Sequence, residues 1–203
     1  MTYTGGLLNL LNGKMGISAP LKSVPVMKLI KIHKPKSKEE LVELIKYHYA
    51  NNCECGVNSM GSVQDFGKNL YEAQISFWGE NKFSLKECIQ WEYDLFVVQS
   101  LKGGIIEAKA INKLKEILDG CEVAEAQGYL DEELRVDIIV KKFKNIVAGI
   151  QVKPNTFKLM RQEVITFNLN ANKKMGLQVL YLFYDENENF VNFYELVEEI
   201  KKL

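Results

Sequence analysis

The chain predicts an α/β protein, with a mainly helical N-terminal part and a core in which helices cover a central mixed β-sheet. Three observations carry this. Ser37 and Ser84 are each followed three positions on by glutamate, and each opens a run with apolar residues at helical spacing. After Asp119-Gly120 the spacing changes to that of short strands and a hairpin. Leu177 to Tyr184 is then a nearly unbroken apolar run, as in a central or parallel strand. At 203 residues the chain is long enough for one well-buried core. We read it as a single domain, with a helical region over about 1–102 and the sheet-bearing core over about 103–203.

Residues 1–25 hold Gly5, Gly6, Gly13, Gly16, Pro20 and Pro25 among scattered leucines, which predicts an irregular arm or short helix. Val26 to Ile32 reads as an edge strand. Ser37 caps a helix to about Tyr49, with Leu41, Leu44, Ile45 and His48 on one face. Asn51 to Gly61 is a polar loop, and a second helix runs from Ser62 to about Phe77. Ser84 opens a third, which Gly103-Gly104 is expected to end. Ile105 to Leu118 follows as another, its apolar face built from Ile106, Ala110, Ile111, Leu114 and Leu118. Glu122 to Tyr129 is strand-like, Leu130 to Leu134 a turn, and Val136 to Val140 a strand. Lys141 to Asn145 turns the chain back into Ile146 to Lys153. A helix from Phe157 to about Leu169, the Leu177–Tyr184 strand, a turn at Asp185–Asn189 leading into a short strand, and an amphipathic helix from Tyr194 complete the order.

Composition narrows the function classes. The 26 basic and 26 acidic side chains cancel, so no uniform basic field covers the molecule, although a basic cleft against an acidic back stays open. No run of eighteen apolar residues predicts a membrane span. The four cysteines follow no secretory leader, so free thiols in a reducing, cytoplasmic setting are expected. Cys53-Glu54-Cys55 near His48 lacks the spacing of a structural zinc site. Gly-x-Ser-x-Gly, P-loop and His-Glu-x-x-His segments are absent.

The chemistry gathers at Arg135-Val136-Asp137-Ile138-Ile139-Val140 and Gly149-Ile150-Gln151-Val152-Lys153-Pro154. Strand side chains repeat with period two, so Gln151 and Lys153 share a face while Val152 points to the core. A carboxylate, an amide and an ammonium inside otherwise apolar strands suit metal-assisted phosphodiester hydrolysis. The bland alternatives are a surface ion pair between Asp137 and Lys153, and Gln151 as a polar residue on a solvated face.

With these residues in place the chain resembles nucleases of the PD-(D/E)xK type, more narrowly type II restriction endonucleases of the MjaI-like kind, over roughly residues 103–184. The resemblance implies Asp137 as the acidic residue at a strand start and Lys153 as the lysine of the following strand. Gln151 stands where the family usually has Glu or Asp. Glu107 best fits the glutamate that a preceding helix often adds, with Glu92 and Glu125 as alternatives. A Mg²⁺ ion would take Asp137, the Gln151 amide oxygen and the Val152 backbone carbonyl. Lys153 would stabilise charge growing on the phosphate, or serve as a base; the former is preferred because an ammonium beside a metal and a carboxylate stays charged.

The implied partner is double-stranded DNA. Asn155 and Thr156 follow the lysine and can meet phosphate. Lys28, Lys31 and Lys34 form a basic run that is either a DNA-facing surface or a solvated face. Lys141 and Lys142 on the hairpin, and Lys173 and Lys174 near the active edge, are further candidates. Asn51, Asn52, Asn58, Ser59 and Gln64 form a polar stretch suited to reading bases. A palindromic target implies a homodimer, with the helices over 62–100 as the expected interface. The competing readings are a non-specific, repair or resolution nuclease of the same fold, and a non-catalytic DNA-binding protein.

Overall fold

The computed structural model describes residues 5–18, 26–51, 61–160 and 162–203. The chain divides into two compact units, Met1–Gly104 and Ile105–Leu203. No helix among the described residues is long and apolar enough to cross a membrane.

The first unit is helical: α1 (Gly5–Met15), α2 (Val26–His33), α3 (Lys38–Ala50), α4 (Val63–Trp78) and α5 (Leu85–Tyr93), then a π-helical segment Asp94–Gln99 and the start of α6 (Ser100–Ile117). Ser62 and Ser84 make full capping boxes, with Asp65 and Glu87 as the reciprocal partners. Ser37 caps α3 by accepting from the Glu40 N–H, while the Glu40 carboxylate reaches back to the Lys36 N–H rather than to Ser37. Two apolar clusters fill the unit, one around Leu29, Leu41, Phe66 and Val97, the other around Leu8, Leu11, Leu70 and Trp91. Gln74, fully buried, clamps the α4–α5 connection by exchanging hydrogen bonds with the Phe83 N–H and carbonyl.

Two sequence expectations fail here. Val26 to Ile32 is a helix, because its buried residues Val26, Leu29 and Ile30 stand at i, i+3 and i+4, a helical stripe that outweighs its β-branched content. Gly103-Gly104 does not end a helix but lies inside α6. A Cβ on Gly104 would stand 2.6 Å from Ile30 Cγ2, so this glycine serves close approach rather than termination.

The second unit holds a four-stranded sheet in the order β1 (Glu122–Glu125), β2 (Ile138–Lys142), β3 (Asn145–Pro154), β4 (Val179–Tyr184). The first three strands are antiparallel, and β3 and β4 are parallel. Between β1 and β2 stands a single helical turn, α7 (Tyr129–Glu132), where a turn was expected; the predicted strand to Tyr129 stops at Glu125. Phe143 and Lys144, both at positive φ, close the β2–β3 hairpin tightly. A short 3₁₀ turn (Asn155–Leu159) and α8 (Gln162–Lys173) join β3 to β4, and α9 (Phe193–Lys201) closes the unit.

Period-two alternation sorts the sheet. Ile138, Val140, Ala148, Ile150, Val152, Leu180 and Leu182 form one face, packed with Ile106, Ala110 and Leu114 of α6 and Phe193, Leu196, Val197 and Ile200 of α9. The other face carries Val136, Ile139 and Val179, and α8 reaches it through Asn168 and Asn172. This is a mixed sheet flanked by helices, as the sequence predicts.

Glu92 on α5 is fully buried, neither carboxyl oxygen has a hydrogen-bond partner among the described residues, and burial pushes its carboxyl up to about 7. An unfolded glutamate ionises near 4.5, so between that value and about 7 the unfolded chain releases a proton the folded one keeps. Stability is therefore fullest below 4.5, falls as pH rises towards 7, and is flat above. Glu92→Gln should abolish that slope and gain on the order of 3 kcal/mol over the parent at pH 8, read by urea unfolding. Both tryptophans lie in this unit and report on it.

Candidate active site

At the end of the sheet where β2 begins, β3 runs on past its partner. Asp137 is the residue just before β2, and its backbone is held on both sides: its N–H donates to the Ile150 carbonyl and its carbonyl accepts from the Ala126 N–H, both at 2.9 Å. The approach is held as well. Arg135 sits at φ 58°, the left-handed region, and its guanidinium lies 5.4 Å from the Phe167 ring centre. The Val136 N–H donates to Leu130, and the Leu134 carbonyl accepts from Asn172 Nδ2 at 2.8 Å.

Beyond the start of β2 the Asp137 carboxylate takes over from the backbone. Its Oδ2 accepts from the Val152 N–H at 2.7 Å, a charge-assisted bond, and stands 3.8 Å from Lys153 Nζ. The two side chains are 13% and 23% exposed, so solvent screens the pair only in part. In a strand the N–H and C=O of one residue leave on the same side. The Val152 carbonyl is therefore aimed at the same edge as the N–H that Asp137 binds, while its side chain is buried in the core, as expected.

Gln151 extends the register next to Asp137 and shares its face, opposite the face of Ile150 and Val152. It is 1% exposed. Its Nε2 donates to Asn168 Oδ1 at 3.0 Å, and its Oε1 is buried without a hydrogen-bond partner. Asn168 in turn donates Nδ2 to the Val164 carbonyl at 2.8 Å. Tyr181 pairs with Gln151 and Phe183 with Lys153 across β3 and β4. The Tyr181 ring stacks with both Phe183 and Phe157, giving this face an aromatic floor. The Tyr181 hydroxyl donates to Asn172; burial first, and the Asp137 charge second, hold it protonated above its ordinary range.

Asp137, Gln151 and Lys153 thus meet on one face at one edge. Glu107 lies on α6, which packs on the other face, and its charge is felt by Tyr184, the β4 partner of Pro154. Glu125 pairs with Ile138 and so stands on that residue's face, and Glu92 is core of the first unit.

The proposed DNA-facing residues scatter. Asn155 and Thr156 are exposed directly after Pro154, at the site end. Lys141 and Lys142 lie at the far end of β2, roughly 15 Å along the strand from Asp137, and Lys141 pairs with Glu122 at 2.7 Å. Lys173 and Lys174 close α8 next to Met175, which lies over Gly149, so they too stand away from Lys153 rather than beside it. Lys28 and Lys34 are exposed and Lys31 half-buried on and just after α2; Asn51 and Gln64 are exposed, while Asn52, Asn58 and Ser59 lie outside the described residues. Sequence reading missed Asn168, Tyr181 and Lys158, whose Nζ lies 4.4 Å from the Phe183 ring centre. The one signal for Asn168 was a pair of asparagines, 168 and 172, four apart in a helix without an apolar stripe.

The sequence model of the MjaI restriction endonuclease family matches residues 5–202. The chain belongs to this PD-(D/E)xK-type family. The match spans both units of this MjaI-family protein. No curated protein and no solved structure matches it.

Among the described residues of this MjaI-family chain no three His, Cys, Asp or Glu side chains converge as a metal site. The oxygen donors at the edge are instead one carboxylate, one amide and one backbone carbonyl. All are hard ligands of the kind Mg²⁺ prefers, and the buried, unpartnered Gln151 oxygen fits such a use.

Asn172→Ala removes the donor to Leu134 and the acceptor for Tyr181. It should cost about 1–3 kcal/mol in chemical denaturation and loosen the segment leading into Asp137, read as faster amide exchange at Val136 and Asp137.

Proposed function

We propose that the protein is a site-specific endonuclease of double-stranded DNA, hydrolysing phosphodiester bonds with a divalent metal such as Mg²⁺ and acting as a homodimer. One observation carries this reading. The Asp137 carboxylate lies 3.8 Å from Lys153 Nζ, on the face that also holds the buried, unpartnered oxygen of Gln151. Family membership supplies the frame, since the chain belongs to a restriction-endonuclease family.

Asp137, Gln151 and the Val152 carbonyl would hold the ion, which when bound polarises a phosphate and acidifies a water. Asp137 brings the single formal negative charge of that set. Gln151 brings an oxygen without charge. Lys153 neutralises negative charge on the phosphate as it grows during attack, from an ammonium held by the same carboxylate. The aromatic floor of Tyr181 and Phe183 keeps water from one side of these groups and strengthens their fields. Asn155 and Thr156 would steady the phosphate backbone, and Glu107 of α6 would add a carboxylate from the preceding helix. A two-fold pair of chains would let each site cut one strand of a palindrome. Exposed Ile75, Phe77 and Leu85 support an interface over the 62–100 helices.

Plasmid DNA with Mg²⁺ should give discrete fragments. Asp137→Ala or Lys153→Ala should slow cutting at least 100-fold, about the loss seen when one transition-state contact is removed, with DNA binding retained in a gel-shift assay. A smear in place of bands would point to a non-specific nuclease of the same fold. Intact DNA across several divalent ions and long sequence contexts would leave a DNA-binding protein without catalysis.

A further inference from the structure

Asn168 decides which end of the Gln151 amide faces the site. The Val164 carbonyl can only accept, so its 2.8 Å contact with Asn168 must come from Nδ2. That bond turns Asn168 Oδ1 towards Gln151, 3.0 Å from Nε2. An oxygen there needs a donor opposite it. Gln151 therefore presents its NH₂ to α8 and keeps Oε1 on its other side, buried and without a hydrogen-bond partner. A buried acceptor left so is destabilising and calls for a ligand that uses it.

We propose that Asn168 is a positioning residue that makes position 151 an amide site, holding the Gln151 oxygen ready for a divalent cation shared with Asp137 and rejecting a carboxylate at that position. This deepens the nuclease reading and rests on it. Charge counting alone expects the opposite, since glutamate at 151 adds a negative charge and should bind a cation more tightly. In this site Gln151→Glu sets two oxygens face to face with no proton between them. Asn168 cannot turn over to help, because its own oxygen would then meet the Val164 carbonyl. The ammonium of Lys153, on the same face, is drawn to Asp137 at 3.8 Å.

The test is a Mn²⁺ titration of the full chain, read by paramagnetic broadening of the Gln151 side-chain NH₂ and the Val152 amide, or of the Val152 amide alone where residue 151 is glutamate. Asn168→Leu should weaken Mn²⁺ binding about tenfold in the parent. Gln151→Glu should bind no tighter than the parent. Adding Asn168→Leu to Gln151→Glu should then strengthen binding about tenfold, so the same substitution changes sign with its neighbour. A merely structural role would weaken both backgrounds alike. Tighter binding by Gln151→Glu alone, or unchanged binding by Asn168→Leu, with the parent binding Mn²⁺ and cutting DNA, overturns the assignment of Asn168 and leaves the nuclease reading standing. A parent that neither binds Mn²⁺ at this edge nor cuts DNA overturns both.

Discussion

The hydrogen bond from the Val152 N–H to Asp137 Oδ2 is the contact on which the site end of the sheet depends. It forms where β2 has ended and β3 still needs a partner, so a carboxylate stands in for a missing strand. Folding the side chain back along β3 brings the same oxygen within reach of Lys153. One atom thus ties backbone, acid and base together. An aspartate is the right length for this, because its carboxylate is close enough to its own backbone to imitate a strand neighbour.

The two faces of the sheet divide the labour. The α6 and α9 side is largely apolar and supplies most of the burial in this unit. The α8 side is apolar only near Val136, Ile139 and Val179, and becomes polar towards Asp137, Gln151 and Lys153. α8 accordingly buries two small residues, Ala171 and Asn172, and contributes amides where the other helices contribute leucine and isoleucine. The amides of Gln151, Asn168 and Asn172 each donate to a backbone carbonyl or another amide, so orientation passes from backbone to side chain without a charge. Buried polar groups chained this way hold one geometry because each has few alternatives.

The sequence made the three site residues legible because strands alternate with a fixed period: Gln151 and Lys153 had to share a face, and Asp137 followed from the hairpin that joins them. Capping residues did the same for α3, α4 and α5. Other features were not local. Val26 to His33 is helical because Leu29 and Ile30 find a core, which its β-branched residues alone do not reveal. Gly104 reads as punctuation until Ile30 is seen beside it. Lys141 and Lys173 are near the site along the chain but not in space, since nothing in a hairpin sequence says which end of the sheet will be used. Asn168 is invisible for a related reason: its meaning lies in a partner seventeen positions away.

The hairpin tip has its own consequence. Phe143 is 95% exposed and, with Lys144, turns the chain at the end of the sheet farthest from Asp137. A residue gained within β2 or β3 would exchange inward and outward side chains and carry Gln151 to the leucine-lined side. A loop grafted between Phe143 and Lys144 leaves the pairing of Ile138 with Ile150 untouched. Length variation in this stretch is thus tolerated at one point and forbidden on either side of it, which makes the tip a natural place to attach a tag or an additional module.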